Sequence, residues 1–255
     1  MATYKKSGNK AKGTKRERKV VQEQSATAEV FNTLDESASR SEAWVLKNQK
    51  AIFGLVGLIV VGMIAYMGYT KYVADPGEKV AADELAFPRK HFNQALTSTV
   101  SADSLYTLAL DGADGKYGFV DIADEYSGTS AGNLANYYAG ISYLALNQYE
   151  EAISYLENFS SDDANLGPIA KGAIGDAFAN LEQLEDALSY YEAAAKLKDN
   201  SFTTPLYLFK AGNTALDLGE SKKALGYFEQ IQNDYPKSKE ATDIAIYINR
   251  AKYAE

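Results

Sequence analysis

The twenty residues from Ala51 to Thr70, AIFGLVGLIVVGMIAYMGYT, contain no charged side chain and lie between Lys50 and Lys71. Twenty helical residues at 1.5 Å each reach roughly 30 Å, the thickness of a bilayer's hydrocarbon core. A helix buried in a large soluble domain usually carries a polar residue on each turn, and here only Thr70 and the tyrosines interrupt the run. The run therefore predicts one transmembrane helix, with every other residue on one side of a membrane or the other. Fifty hydrophilic residues precede it, and its apolar stretch is too long for the core of a cleaved signal peptide, so it reads as a retained anchor.

Charge orients this anchor. Before residue 51 there are eleven Lys and Arg against six Asp and Glu, a balance of +5; the rest of the chain carries −13, giving the overall −8. Short basic segments beside a span stay cytoplasmic, so the amino terminus is expected inside and the larger, acidic part outside. The sequence has no cysteine, which excludes disulfides, thiol chemistry and thiolate-bound metal; the exported part must hold together by packing.

Residues 1–24 hold Lys5, Lys6, Lys10, Lys12, Lys15, Arg16, Arg18 and Lys19 with almost nothing apolar, and are expected to be a disordered basic cytoplasmic arm. Over residues 25–50, Val30, Phe31, Leu34 and Ala38 fall at helical spacing, predicting a cytoplasmic amphipathic helix that either meets a partner or acts as a spacer. Trp44 marks one membrane interface and Tyr66, Tyr69 and Tyr72 the other. Gly54, Gly57, Gly62 and Gly68 would allow close approach of another helix. Residues 71–104 read as a helical stalk with a kink or restart near Ala86 to Pro88, because Pro88 removes a backbone donor. His91, the one histidine, follows Arg89 and Lys90 and reads as a surface residue.

Beyond Leu105 the sequence repeats. Gly140, Gly175 and Gly212 are spaced by 35 and 37 residues, and so are Ala152, Ala187 and Ala224. Between each glycine and its alanine comes a turn, LNQYEEA, LEQLEDA and LGESKKA; beyond each alanine stand paired large residues, Tyr155 and Leu156, Tyr190 and Tyr191, Tyr227 and Phe228. Each unit is thus predicted as a helix, a tight turn and a second helix. The small residues let two backbones approach while the large ones fill the space beside them.

These motifs identify the pattern as resembling the tetratricopeptide repeat, with Pro236 at the closing position of the third unit. The resemblance implies an all-α fold: a single amino-terminal transmembrane helix followed by an α-solenoid. The domain at 105–255 divides into a degenerate cap at 105–130, repeats at about 133–166, 168–201 and 205–238, and a carboxy-terminal helix at 239–255. In architecture the whole chain resembles the YfgM-like ancillary subunits of the SecYEG translocon, anchored in the bacterial inner membrane. That resemblance implies association with the SecYEG channel and with a membrane-anchored peptidyl-prolyl isomerase-type chaperone in the periplasm. A general cell-envelope scaffold, serving outer-membrane assembly or division machinery, is the alternative.

Nothing in the sequence points to an enzyme. It holds no G-x-S-x-G, P-loop or H-E-x-x-H motif, and DGADG at Asp111 to Gly115 reads as a turn, so no catalytic residue, cofactor or metal is expected. Repeat scaffolds bind through the face of their first helices. Superposed units place Ile141 and Ala145, Asp176 and Asn180, and Asn213 and Asp217 there, with Tyr137 one turn earlier. The same positions fit plain solvated helix faces equally well. None is basic, which disfavours clamping of a peptide's terminal carboxylate and leaves extended polypeptide or a partner helix as the ligand. The −13 balance disfavours nucleic acid.

The charge division makes a direct prediction. Protease added to spheroplasts should remove the repeats and spare an amino-terminal tag; loss of the tag with protected repeats would reverse the topology.

Overall fold

The structure, a computed structural model, describes residues 44–69, 71 and 75–254. The basic arm, the amphipathic helix proposed upstream of residue 44, and Tyr72 lie outside the described residues. The chain divides into two units, Met1–Gly68 and Tyr69–Glu255.

Helix α1, which belongs to the first unit up to Gly68, runs from Trp44 to Tyr69, 26 residues with a mean hydropathy of 2.3 over its most apolar window. None of that window is buried, so its leucines, isoleucines and valines have no protein core to enter. The helix is long and apolar enough to cross a bilayer. A side chain added at Gly54, Gly57, Gly62 or Gly68 would meet open space.

The described residues of the second unit form helices and no strand: α2 (Asp75–Glu84), α3 (Ala86–Ala95), α4 (Ala102–Asp111), α5 (Phe119–Glu125), α6 (Ser130–Ala145), α7 (Tyr149–Glu157), α8 (Leu166–Asn180), α9 (Leu184–Leu197), α10 (Thr203–Asp217), α11 (Ser221–Asp234) and α12 (Ile244–Tyr253). Pro88 falls in the first turn of α3, where its missing N–H removes the bond to the Glu84 carbonyl, while Leu85 between the two helices keeps helical geometry. Residues 71–104 are more than a stalk: Ala81, Leu85, Phe92 and Ala95 share a core with Tyr106, Phe119, Ile122 and Ala135. Periodicity shows that a helix has an apolar stripe but not what covers it, which is why this packing was not legible.

From α6 onward the helices pair as α6/α7, α8/α9 and α10/α11, each first helix also adjoining the next. All three turns are built alike. Asn147, Glu182 and Gly219 stand at the same repeat position with φ of 59°, 60° and 76°. The next N–H in each returns to the first helix, Gln148 to the Tyr143 carbonyl, Gln183 to Phe178 and Glu220 to Ala215. This is the left-handed helix ending that glycine adopts freely and Glu182 adopts at a cost of about 1 kcal/mol.

Each hairpin closes on its glycine. A methyl group at Gly140 would overlap Leu156, at Gly212 it would overlap Phe228, and at Gly175 it would stand 2.7 Å from the Tyr191 ring. Ala152, Ala187 and Ala224 are fully buried beside them. The last hairpin is covered by α12, which buries Ile244, Ile248 and Ala251 and sets Tyr247 edge-on to Phe209 at 4.7 Å.

Gly175→Leu should therefore lower stability by about 1 to 3 kcal/mol, because the buried Tyr191 ring must shift to admit the new side chain. Thermal unfolding of the full chain in detergent checks this; an unchanged midpoint would refute the packing.

Candidate functional site

The face proposed for binding belongs to α6, α8 and α10, so their starts matter. Asp163 accepts the N–H groups of Asn165 and Leu166, both at 2.8 Å, ahead of α8. These two bonds hold its carboxyl below the usual carboxylate range. Asn200 does the same for α10, its Oδ1 accepting from Phe202 and Thr203 at 2.8 Å. Short polar side chains at these places satisfy helix donors that have no partner in the helix.

Along the face the seven proposed residues differ in environment. Tyr137 is half-buried, its ring 5.2 Å from Phe159, and Ile141 is wedged between two core clusters. Ala145, Asn180 and Asp217 are exposed. Asn213 is half-buried, with its Nδ2 donating to the Phe209 carbonyl at 2.9 Å.

Asp176 is not a free acidic group. Lys210 Nζ donates to both of its oxygens, at 2.6 and 2.7 Å, and Tyr191 Oη donates to Oδ1 at 2.7 Å. Lys210 also lies 5.5 Å from the Tyr191 ring centre. Burial, then the Asp176 charge and hydrogen bond, push the Tyr191 hydroxyl well above the ordinary tyrosine value. With both ion-pair side chains one-third exposed, the pair serves chiefly to fix α8 against α10 and adds about 1 kcal/mol or less.

The structure brings Asp176 and Asn180 together with Leu144, Asn147, Tyr149, Ala179 and Tyr191 around a cleft of about 300 Å³. Tyr149 Oη donates to Asn180 Oδ1 at 3.2 Å, and Asn180 Nδ2 donates to the Asp176 carbonyl at 2.8 Å. Asn213 and Asp217 lie outside this cleft. Sequence reasoning named Tyr191 only as a space-filling residue and missed Tyr149 and Lys210. The last could have been found: it stands two residues before Gly212, within one repeat length of an acid just after Gly175.

The second helices carry a register of their own. Tyr190 Oη donates to Glu157 at 2.7 Å and Tyr227 Oη to Glu192 at 2.5 Å, tyrosines and glutamates at equivalent positions of successive units. Tyr143 and Phe178 stack on Tyr155 and Tyr190 with centroids 5.3 Å apart; the third unit has Ala215 there and no stack. Farther on, Tyr235 Oη donates to Asp199 at 2.5 Å. Among the described residues no group of three or more His, Cys, Asp and Glu is placed to hold a metal ion.

Stacked hairpins with a shared left-handed turn and a shared glycine contact define a helical-repeat body of the tetratricopeptide type. Family models described as tetratricopeptide repeat match residues 137–202 and, separately, 207–238. No curated protein matches the chain.

Three of these tyrosines make stability fall at alkaline pH. Burial first, then neighbouring phenol or carboxylate groups, raise Tyr143, Tyr190 and Tyr235 to about 12. The folded chain thus keeps protons that unfolded tyrosines lose near pH 10, so their contribution is complete below that value and is lost as pH rises toward 12. Denaturation midpoints followed with tyrosinate absorbance should show this fall, and Tyr190→Phe with Tyr235→Phe should flatten it.

Proposed function

We propose that this chain is a non-enzymatic, membrane-anchored scaffold that engages a polypeptide through the exposed first-helix face of its repeats. The observation that carries the reading is one architecture with two unlike surfaces. The apolar side chains of α1 have no protein cover, and a tetratricopeptide array presents Ala145, Asn180 and Asp217 to solvent and forms a cleft edged by Tyr149 and Asn180. Amide and phenol groups at that cleft suit backbone hydrogen bonds, and Leu144 and Ala179 supply apolar contact. Lys210 spends its charge on Asp176, so the pair offers no ready cation to a peptide's carboxylate.

At finer grain, the proposal is an ancillary subunit of the SecYEG translocon in the bacterial inner membrane, with the amino terminus cytoplasmic and the repeats periplasmic. There the array would hold a membrane-anchored peptidyl-prolyl isomerase-type chaperone near the channel. Its support is the order of basic head, single span and about three repeats, together with the +5 and −13 division of charge.

The test is crosslinking in intact membranes followed by mass spectrometry, with Ala145→Lys, Asn180→Lys, Asn213→Lys and Asp217→Lys combined. Recovery of periplasmic chaperone should fall roughly tenfold, as when central contacts are lost. Channel association and folding should be unchanged. Full recovery would refute the face, and recovery only with outer-membrane or division machinery would refute the translocon assignment.

A further inference from the structure

The first helices of the repeats do not start in the same way. Those of the second and third hairpins, α8 and α10, are capped by Asp163 and Asn200, residues of the loops that lead directly into them. For α6 the local group, Thr129 Oγ1, accepts only the Gly132 N–H, at 2.9 Å. The N–H groups of Ser130 and Ala131 are taken by Glu78 instead, Oε2 at 2.7 Å and Oε1 at 3.1 Å, from a helix some fifty residues earlier. The next donor, Asn133 N–H, makes the first regular helical bond, to the Thr129 carbonyl at 3.0 Å. Two of the three unpaired donors of α6 thus depend on α2, through a carboxylate placed where the helix dipole favours negative charge.

The rest of α2 is lightly held. Ala81 enters the core, as does Leu85 at the junction with α3, while Val80, Ala82 and Asp83 are exposed. At its far end Leu85 keeps helical geometry, with φ of −60° and ψ of −19°, but the ladder lacks the one bond Pro88 cannot donate, so α2 and α3 meet at a weakened point.

We infer that α2 is a detachable strap, latched by the Glu78 carboxylate, whose docking orders the first turn of α6 and whose release frays it. Since α6 carries Tyr137, Ile141 and Ala145, the strap controls the order of the first helix of the array, whatever partner the array binds. Coupling of this kind is reciprocal: a binder that prefers released α2 loosens the start of α6, and anything that rigidifies the first turn of α6 favours the docked strap. A fixed structural cap would behave differently, because α2 would stay protected when the cap alone is weakened.

Amide hydrogen exchange on the full chain in lipid nanodiscs separates these cases. In Glu78→Gln the Ser130 and Ala131 amides should exchange about tenfold faster or more, the worth of a lost charge-assisted bond. Residues 80–85 should lose protection together, with α8 to α11 unchanged. Leu85→Ala, which loosens the strap from its apolar side and leaves Glu78 in place, should speed Ser130 and Ala131 as well. Unchanged exchange at Ser130 and Ala131 in either variant overturns the latch. Faster exchange there with residues 80–85 still protected reduces Glu78 to a static cap and overturns the strap. Loss of protection that spreads through α8 to α11 overturns it equally, since the strap would then be inseparable from the fold.

Discussion

Everything in the repeat body depends on one contact made three times: a bare glycine backbone in a first helix against a large side chain in the second. Leu156, Tyr191 and Phe228 each lie where a Cβ on the facing glycine would stand, or within 2.7 Å of it. Close approach at that point fixes the crossing of the two helices, and with it the direction in which the next hairpin must leave. The left-handed residue at Asn147, Glu182 and Gly219 makes the turn short enough to permit it. Sheets and disulfides are absent from the described residues, so neighbour-to-neighbour packing of this kind supplies the cohesion.

The same logic separates the long apolar helix from the repeats. Helix α1 gains nothing from burial in protein and is suited to lipid, while the repeats bury alanines and aromatics and leave polar side chains outward. An array that satisfies its core this way can vary its exposed first-helix face at little cost. Asp176 is the exception. Its carboxylate is committed to Lys210 and Tyr191, so it acts in joining two units rather than in offering charge to a ligand.

Much of this was legible because the constraint is periodic. Gly140, Gly175 and Gly212 and the three alanines reveal the hairpins, the turns and the first-helix face without coordinates. The long apolar helix is equally plain, since twenty uncharged residues run there without a break. What was not legible depends on pairs with no fixed spacing. Glu78 caps α6 from 52 residues away, and nothing in either segment announces the other. Residues 71–104 look like a stalk because their apolar stripe is sparse, yet Leu85 and Phe92 find cover from α4, α5 and α6. Helix α7 stops at Glu157, well short of its counterparts α9 and α11, and Phe159 turns toward Tyr137 instead of continuing the helix.

Tyr137 and Tyr207 show that these units are not interchangeable modules. Between α8 and α10 the filling ring comes from the later helix, Tyr207 lying over bare Gly172. Between α6 and α8 it comes from the earlier one, Tyr137 packing toward a cluster that includes the small Ala170. Tyr137 and Gly172 hold the same repeat position, as do Ala170 and Tyr207. Excising the middle hairpin would drive two rings into one space, and duplicating it would set Gly172 against Ala170 with nothing between them. The order of the three hairpins is therefore written in alternating bulk and void, and recombination that respects the repeat length alone would not preserve the fold.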